Sequence, residues 1–375
     1  MNQYKNPVQI EFGRGAIEFL PRFIQKRSAL LITSQGFVKR GVVERLQKNN
    51  SEITQLIANI QPNPTIEQLK DIRTTLDYEK FDVIVALGGG SVIDAAKAIA
   101  PFKKEDKLEL LSLLENGLTS DINVKPIIAI PTTAGTGSEV TMWGTVWDDK
   151  NKKKYSISDE RLYCEVAILD VELHLSIPAE ITLQTGLDAL SHSLEAIWNK
   201  NSNQTSNLYA VQAAKTIIDV LPKLMSDLSN LEFREQMLIA SYRAGLAFSN
   251  TQTAIAHAMS YYMTLEKGIP HGIAASFTLP AITKVAMSNP AISNILVGIF
   301  GDNPSEFLYK LLTQLKITSV SQDYQLSQED WGKILASLSS TVRSKNSMVE
   351  SSRVVKLLMQ ESVMKSNRIG KATIN

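Results

Sequence analysis

In the first half of the chain the apolar residues gather into short, nearly continuous runs: "ALLIT" (29–33), "EITQLIANI" (52–60), "FDVIVAL" (81–87), "KPIIAIP" (125–131) and "CEVAILD" (164–170). They are rich in β-branched residues, bounded by Gly, Pro and Asn, and separated by segments of helical spacing such as "FVKRGVVERLQKN" (37–49). Strands that are apolar at every position are buried on both faces. The pattern therefore predicts βαβ units, with a parallel sheet covered by helices on both sides. After "HLSIPAE" (174–180) the apolar period changes to three and four residues, as in "NLYAVQAAKTIIDVLPKLM" (207–225), and helix follows helix from there. The expected organisation is an α/β domain over residues 1–176 and an all-α domain over 177–375. No repeat or low-complexity tract interrupts either, and the polar tail from Ser362 reads as a fraying end.

Composition narrows the picture. The 375 residues carry 39 basic and 38 acidic side chains, a formal charge of +1, and no basic stripe interleaved with aromatics, so nucleic acid is not the expected partner. The first fifteen residues lack the apolar core of a signal peptide, and no run approaches the roughly eighteen apolar residues of a membrane span. Cys164 is the only cysteine, which excludes an internal disulfide and suits a reducing cytoplasm.

Two loops carry candidate chemistry in the first half. "VIVALGGGSVIDAAKAIA" (83–100) is a buried strand, three glycines and a helix expected to begin near Ser91. Glycines allow positive φ and close backbone approach, and a helix N-terminus offers N–H groups and positive dipole to an anion, so a pyrophosphate suits the loop. The competing account makes Ser91 and Asp94 a capping box and the glycines a turn. The run lacks the G-x-G-x-x-G form, so a standard Rossmann half is not inferred. A second loop, "IPTTAGTGSEVT" (130–141), follows the next strand and sets Thr132, Thr133, Thr136, Ser138 and Thr141 beside two glycines. Either loop alone could be a solvated turn. Two on successive strands, at the ends where open α/β sheets bind ligands, favour a nucleotide site.

Three of the four histidines fall within apolar segments of the helical half. Asp188 and His192 in "GLDALSHSLEA" are four apart and share a helix face; "IAHAMSYYMTLEKGIPHGIAASF" adds His257 and, after Pro270, His271. One carboxylate and three imidazoles suit Fe(II) or Zn(II) with a position open to substrate oxygen. Hydrogen-bonded core residues are the plainer reading, and His174 is assigned to it. A buried carboxylate needs compensation, and for the other three histidines a metal is the simplest one.

In this order and spacing, "GGGSVIDAAKA", "PTTAGTGSEVT", "GLDALSHSLEA" and "HAM…PHG" resemble the iron-containing (group III) alcohol dehydrogenases over nearly the whole chain. The resemblance implies a Rossmann-like, dehydroquinate synthase-like α/β domain that binds NAD(P)H, a helical domain that holds Fe2+ or Zn2+, catalysis in the cleft between them, and a homodimer. It carries the ligand role to Asp188, His192, His257 and His271, and the pyrophosphate to Gly88, Gly89, Gly90 and Ser91 with Asp94 nearby. It puts Thr132, Thr133, Thr136 and Thr141 by the nicotinamide, Lys154 in contact with the cofactor, and Asn63 and Pro64 near the adenosine.

Two positions depart from the family's pattern. Ser34 stands where many members have an acidic residue on the adenosine ribose; with Lys39 and Arg40 close in sequence, NADPH is expected to serve at least as well as NADH. Tyr261 stands where diol-oxidising relatives carry a proton-relaying histidine, which counts against the usual diols. "NPVQIEFGRGA", "TSQGFVKRG" and "SYYMTLEKGIPHG" are most similar to the branch reducing phosphonoacetaldehyde to 2-hydroxyethylphosphonate, and Lys267 and Arg243 are the cations offered for its phosphonate. The alternatives are an alcohol dehydrogenase for small uncharged primary alcohols and aldehydes, a dehydroquinate synthase-like lyase, and a non-enzymatic nucleotide binder with a structural metal.

Overall fold

The computed structural model describes residues 4–103, 109–339 and 341–360, so the tail from Ser362 lies outside the described residues. Contacts divide the chain into two compact units, Lys5–Ile177 and, with Tyr4, the chain from Pro178 onward.

The first unit is built on a six-stranded sheet of β1 (Gln9–Gly13), β2 (Ala29–Ile32), β3 (Ile53–Ile57), β4 (Val83–Gly88), β7 (Ile127–Pro131) and β10 (Val166–Asp170). The order is β1-β10-β7-β4-β2-β3 and every pairing is parallel. Two small antiparallel pairs accompany it: β5 (Pro101–Phe102) with β6 (Asn123–Val124), and β8 (Trp143–Asp148) with β9 (Lys153–Ser158). The continuous apolar runs are explained by alternation. Ile84 and Ala86 of β4 enter one hydrophobic core, whereas Val83, Val85 and Leu87 enter the core on the opposite face. Each face is thus covered, which is the condition under which a parallel sheet is stable.

Two local expectations are corrected and one strand is added. "FVKRGVVERLQKN" is not one helix: it spans parts of Gln35–Lys39 and Val42–Asn49, broken at Gly41, whose φ of 72° ends the first. "EITQLIANI" contributes only Ile53–Ile57 to the sheet. β1 is a sixth strand with two of its five residues exposed and none buried, an edge position that leaves no continuous apolar run to read.

The second unit is helical. Ala179–Ile197, Gln204–Ser226 and Leu231–Thr251 are its long helices, followed by Ile255–Lys267, His271–Ser276 and shorter helices as far as residue 360. A Cβ on Gly186 would come within 2.7 Å of Leu221, and one on Gly272 within 2.0 Å of the Gln184 carbonyl oxygen. Glycine at these two positions lets neighbouring helices approach backbone to side chain and backbone to backbone. No helix of the described residues is long and apolar enough to cross a membrane.

Candidate active site

In the α/β unit, β4 runs straight into the helix Gly90–Ile99, with Gly89 at the N-cap and no side chain capping it. The capping-box reading is therefore set aside. Ser91 Oγ instead accepts from Asn63 N at 3.1 Å, and the Asp94 oxygens accept from Ser138 Oγ at 2.5 Å and Thr145 N at 2.9 Å. None of the three glycines has positive φ; close approach is what requires them. A Cβ on Gly88 would meet Val92 at 2.4 Å, one on Gly89 would meet Thr133 at 3.0 Å, and one on Gly90 would meet Thr136 at 2.6 Å. The two glycine loops therefore lie against each other, joined also by Thr132 N donating to Gly88 O at 3.0 Å. At the first turn of the helix, backbone N–H groups without intrahelical acceptors can receive an anion.

Lys97, fully buried one turn beyond Asp94, escaped the sequence reading. Its ammonium donates to the carbonyls of Ser138 at 2.6 Å, Thr141 at 2.7 Å and Trp143 at 2.8 Å, and to Thr141 Oγ1 at 3.1 Å. Asp94 and Lys97 thus staple the second loop to the helix of the first, and the Thr141 hydroxyl is engaged in that staple. Burial alone would push the Lys97 ammonium down and the Asp94 carboxyl up, and their mutual attraction opposes both shifts. Asn63 takes a left-handed φ of 56°, and Pro64 O accepts from Trp147 N at 3.0 Å, so the segment holding both is fixed between Ser91 and the β8–β9 hairpin. Lys154 lies across that hairpin with its ammonium 5.1 Å from the Trp147 ring centre. Ser34 caps Gln35–Lys39 at the end of β2, and a Cβ on Gly36 would lie 3.5 Å from Arg40 Nη1 and 3.7 Å from Ser34 Oγ. The guanidinium and the hydroxyl therefore flank one glycine, while Lys39 is exposed.

His174 accounts for itself in the same unit: buried, it places Nε2 3.2 Å from Pro131 O. The other three histidines gather in the helical unit. Asp188 and His192 lie one turn apart on Ala179–Ile197, His257 on Ile255–Lys267, and His271 at the start of His271–Ser276. Ligand atoms of Asp188, His192 and His257 all lie within 4.8 Å of one another. His257 Nε2 is 3.2 Å and His271 Nε2 3.9 Å from Asp188 Oδ1. The His192 ring stacks on His257 at 4.4 Å and on Phe248 at 4.0 Å, so an apolar wall fixes its plane.

Glu195, three residues beyond His192 in the same motif, is the second residue the sequence reading missed. Fully buried, it accepts from the backbone N–H groups of Ala254 at 2.9 Å, Ala256 at 2.5 Å and His257 at 3.1 Å, and lies 2.7 Å from His257 Nδ1. With Nδ1 donating there, Nε2 faces Asp188 as a lone ligand atom, the arrangement by which a carboxylate orients a metal-binding imidazole. Its signal was its spacing, seven residues after Asp188 and on the same helix face.

Electrostatics mark the cluster as built for a cation. Burial opposes ionisation of Asp188, yet His192, His257 and His271 hold its carboxyl well below the usual carboxylate range. Burial opposes charge on His257 as well, yet Glu195 and Asp188 raise it to about 9. Two dry carboxylates thus demand positive charge from their surroundings. A divalent ion bound by one carboxylate and three imidazoles fits that demand, and the donor set suits Fe(II) or Zn(II) rather than Mg or Ca. His271 is 30% exposed, against 7% for Asp188 and 3% for His257, so it stands on the open side. The Tyr261 ring lies parallel to His271 at 6.3 Å, and burial pushes its phenol up to about 12.

Neither proposed phosphonate cation faces the cluster freely. Lys267 Nζ is 2.9 Å from Asp330 Oδ2, and Arg243 lines a cavity of about 350 Å3 with Lys215, Asp219 and Gln236, which none of the four cluster residues lines.

A glycine-rich loop at the end of a parallel sheet in one unit, and a buried carboxylate–imidazole cluster in the other, are the features expected of the class of metal-dependent nicotinamide oxidoreductases. Residues 7–171 match the model of the iron-containing alcohol dehydrogenases, and residues 182–360 match the C-terminal domain of the same family. The chain is similar to the NAD-dependent methanol dehydrogenase of Bacillus methanolicus, 32% identical over 75% of each chain. It is similar also to the NADPH-dependent butanol dehydrogenase of Clostridium saccharobutylicum, 30% identical over 88% of this chain and 87% of that one. Among solved structures, the sulfoacetaldehyde reductase of Bifidobacterium kashiwanohense in complex with NAD+ superposes with a TM-score of 0.89 at 29% identity, covering 96% of this chain and 99% of the other. The chain belongs to the iron-containing alcohol dehydrogenase family, and is a metal-dependent NAD(P)-linked alcohol dehydrogenase.

Proposed function

We propose that this enzyme reduces a small aldehyde carrying an anionic headgroup, with phosphonoacetaldehyde going to 2-hydroxyethylphosphonate, and uses NADPH with Fe2+ as the metal. The observation that carries the reading is the four-residue cluster of Asp188, His192, His257 and His271, closed on one side by Glu195 and open at His271. When bound there, a divalent ion supplies Lewis acidity toward a carbonyl oxygen, and the nicotinamide supplies the hydride. The chain's residues supply orientation. Asp188 contributes charge and Glu195 fixes the His257 tautomer. The Ile255–Lys267 segment and the Gly272 contact set where His257 and His271 stand. Tyr261 keeps its proton at neutral pH and so orients or donates; it does not relay. The anionic headgroup is supported by the likeness to a sulfoacetaldehyde reductase, and NADPH by Arg40 beside Ser34, which can neutralise a 2′-phosphate that an acidic residue would repel.

A second reading, turnover of uncharged primary alcohols, is favoured by relatives named for methanol and butanol. Loading the purified protein with Fe2+ and comparing kcat/KM for phosphonoacetaldehyde, sulfoacetaldehyde and butanal with both reduced cofactors decides between them. A strong preference for butanal defeats the proposal. His271→Ala should abolish turnover while NADPH binding, followed by cofactor fluorescence, persists; loss of both would end the division of labour between the two units.

A further inference from the structure

We infer that Arg343, not Lys267 or Arg243, is the cation that grips the substrate's anionic headgroup. This inference rests on the anionic-aldehyde reading above. Lys267 is neutralised by Asp330, itself bound by the Tyr262 hydroxyl at 2.7 Å and by Ser327, and Arg243 opens onto a cavity that none of the four cluster residues lines. Arg343 sits on the short helix Val342–Asn346, and its guanidinium carbon lies 4.9 Å from the centre of the Tyr261 ring. That ring is parallel to His271, interplanar angle 6°, at 6.3 Å. Arg343 therefore lies against the ring that runs parallel to the exposed ligand of the cluster.

The guanidinium is held in place through Nε and the Tyr261 ring. Nε donates to Thr253 Oγ1 at 3.1 Å, and the Tyr261 face fixes the guanidinium against it. No carboxylate pairs with Arg343 among the described residues, so the Nη groups keep their donors. The segment bearing Arg343 is anchored through Asn346 at its C-terminal end: Asn346 Nδ2 donates to Thr253 O at 3.3 Å, and Asn346 O accepts from Lys200 N at 2.7 Å. Thr253 in turn precedes Ala254, whose N–H is held by Glu195. The guanidinium is thus tied through two residues to the carboxylate that orients His257. A planar fork of N–H donors matches two oxygens of a phosphonate or sulfonate, and a two-carbon aldehyde of that kind would set its headgroup beside Tyr261 with its carbonyl at the cluster.

The test compares the wild type with Arg343→Met, which keeps the apolar stem, and Arg343→Lys, which keeps the charge without the fork. All are loaded with Fe2+ and assayed on phosphonoacetaldehyde, sulfoacetaldehyde and butanal. The ratio of kcat/KM for the anionic aldehydes to that for butanal should fall roughly 10- to 100-fold in Arg343→Met, mainly through KM, and less in Arg343→Lys. Calorimetric binding of 2-hydroxyethylphosphonate should weaken in parallel. Which anionic aldehyde loses more identifies the headgroup the site is built for. An unchanged ratio in folded, metal-loaded Arg343→Met, with the wild type preferring anionic aldehydes, overturns this inference alone. A wild type that prefers butanal overturns the anionic-aldehyde reading and this inference with it.

Discussion

Asp188 stays ionised although it is buried, because three imidazoles surround it and a second carboxylate, Glu195, orients one of them. Neither acid is replaceable by an amide at low cost. Glu195→Gln keeps the volume but gives up the charge and one of its two acceptor oxygens, so a neighbouring N–H loses its partner. Metal affinity should drop about 10- to 100-fold, read by competition with a chelator, while the far-ultraviolet spectrum is preserved. Unaltered affinity would mean that Glu195 serves packing only. In the α/β unit, Arg40→Ala should lower kcat/KM with NADPH and leave NADH nearly unaffected, because only the former carries the 2′-phosphate proposed as the partner of Arg40. Equal losses with both cofactors would remove Arg40 from that role.

At the scale of elements, glycines decide how near the supporting helices come. Gly272 lies where a Cβ would collide with Gln184 O, a backbone atom of the helix that carries Asp188 and His192. Gly272→Ala must therefore push His271–Ser276 away and carry His271 with it. We expect a large loss of kcat together with weakened metal binding, and a clear fall in Tm; retention of both constants would show that the segment relaxes elsewhere. Gly88, Gly89 and Gly90 follow the same logic between the two phosphate-side loops. Their need for glycine was legible in "GGGS"; of the two reasons expected, positive φ is absent and close approach is present, since an added Cβ would meet Val92, Thr133 or Thr136. For Gly89 and Gly90 the neighbour lies in the next strand's loop, more than forty residues away, and local pattern carries no information about which residue it is.

For the whole molecule, charge balance at the cluster sets how stability responds to pH. In chelated protein, protons must supply the positive charge. His257, ordinarily near 6.5, is raised to about 9, so the stability it contributes is fully present below the ordinary value and is lost as pH rises through 9. Metal-loaded protein should behave oppositely. Its ligands must be deprotonated, so acid below roughly pH 6.5 releases the ion and lowers Tm. Melting curves across pH with and without chelator would test this, and parallel profiles would argue against a metal at the cluster. The sequence alone determined the layered α/β architecture, because alternate residues of its apolar runs must face opposite cores, and the helical second half, because its period is 3.6. It also singled out the three histidines with Asp188 and the two glycine loops, since rare polar residues in apolar segments demand partners. Only the tertiary structure decided that Lys97 staples the two loops, that Glu195 orients His257, that Lys267 is already paired and that Arg343 stands beside Tyr261. Each of these depends on groups far apart in the chain arriving within hydrogen-bonding or ring-stacking distance, and no local period encodes such a meeting.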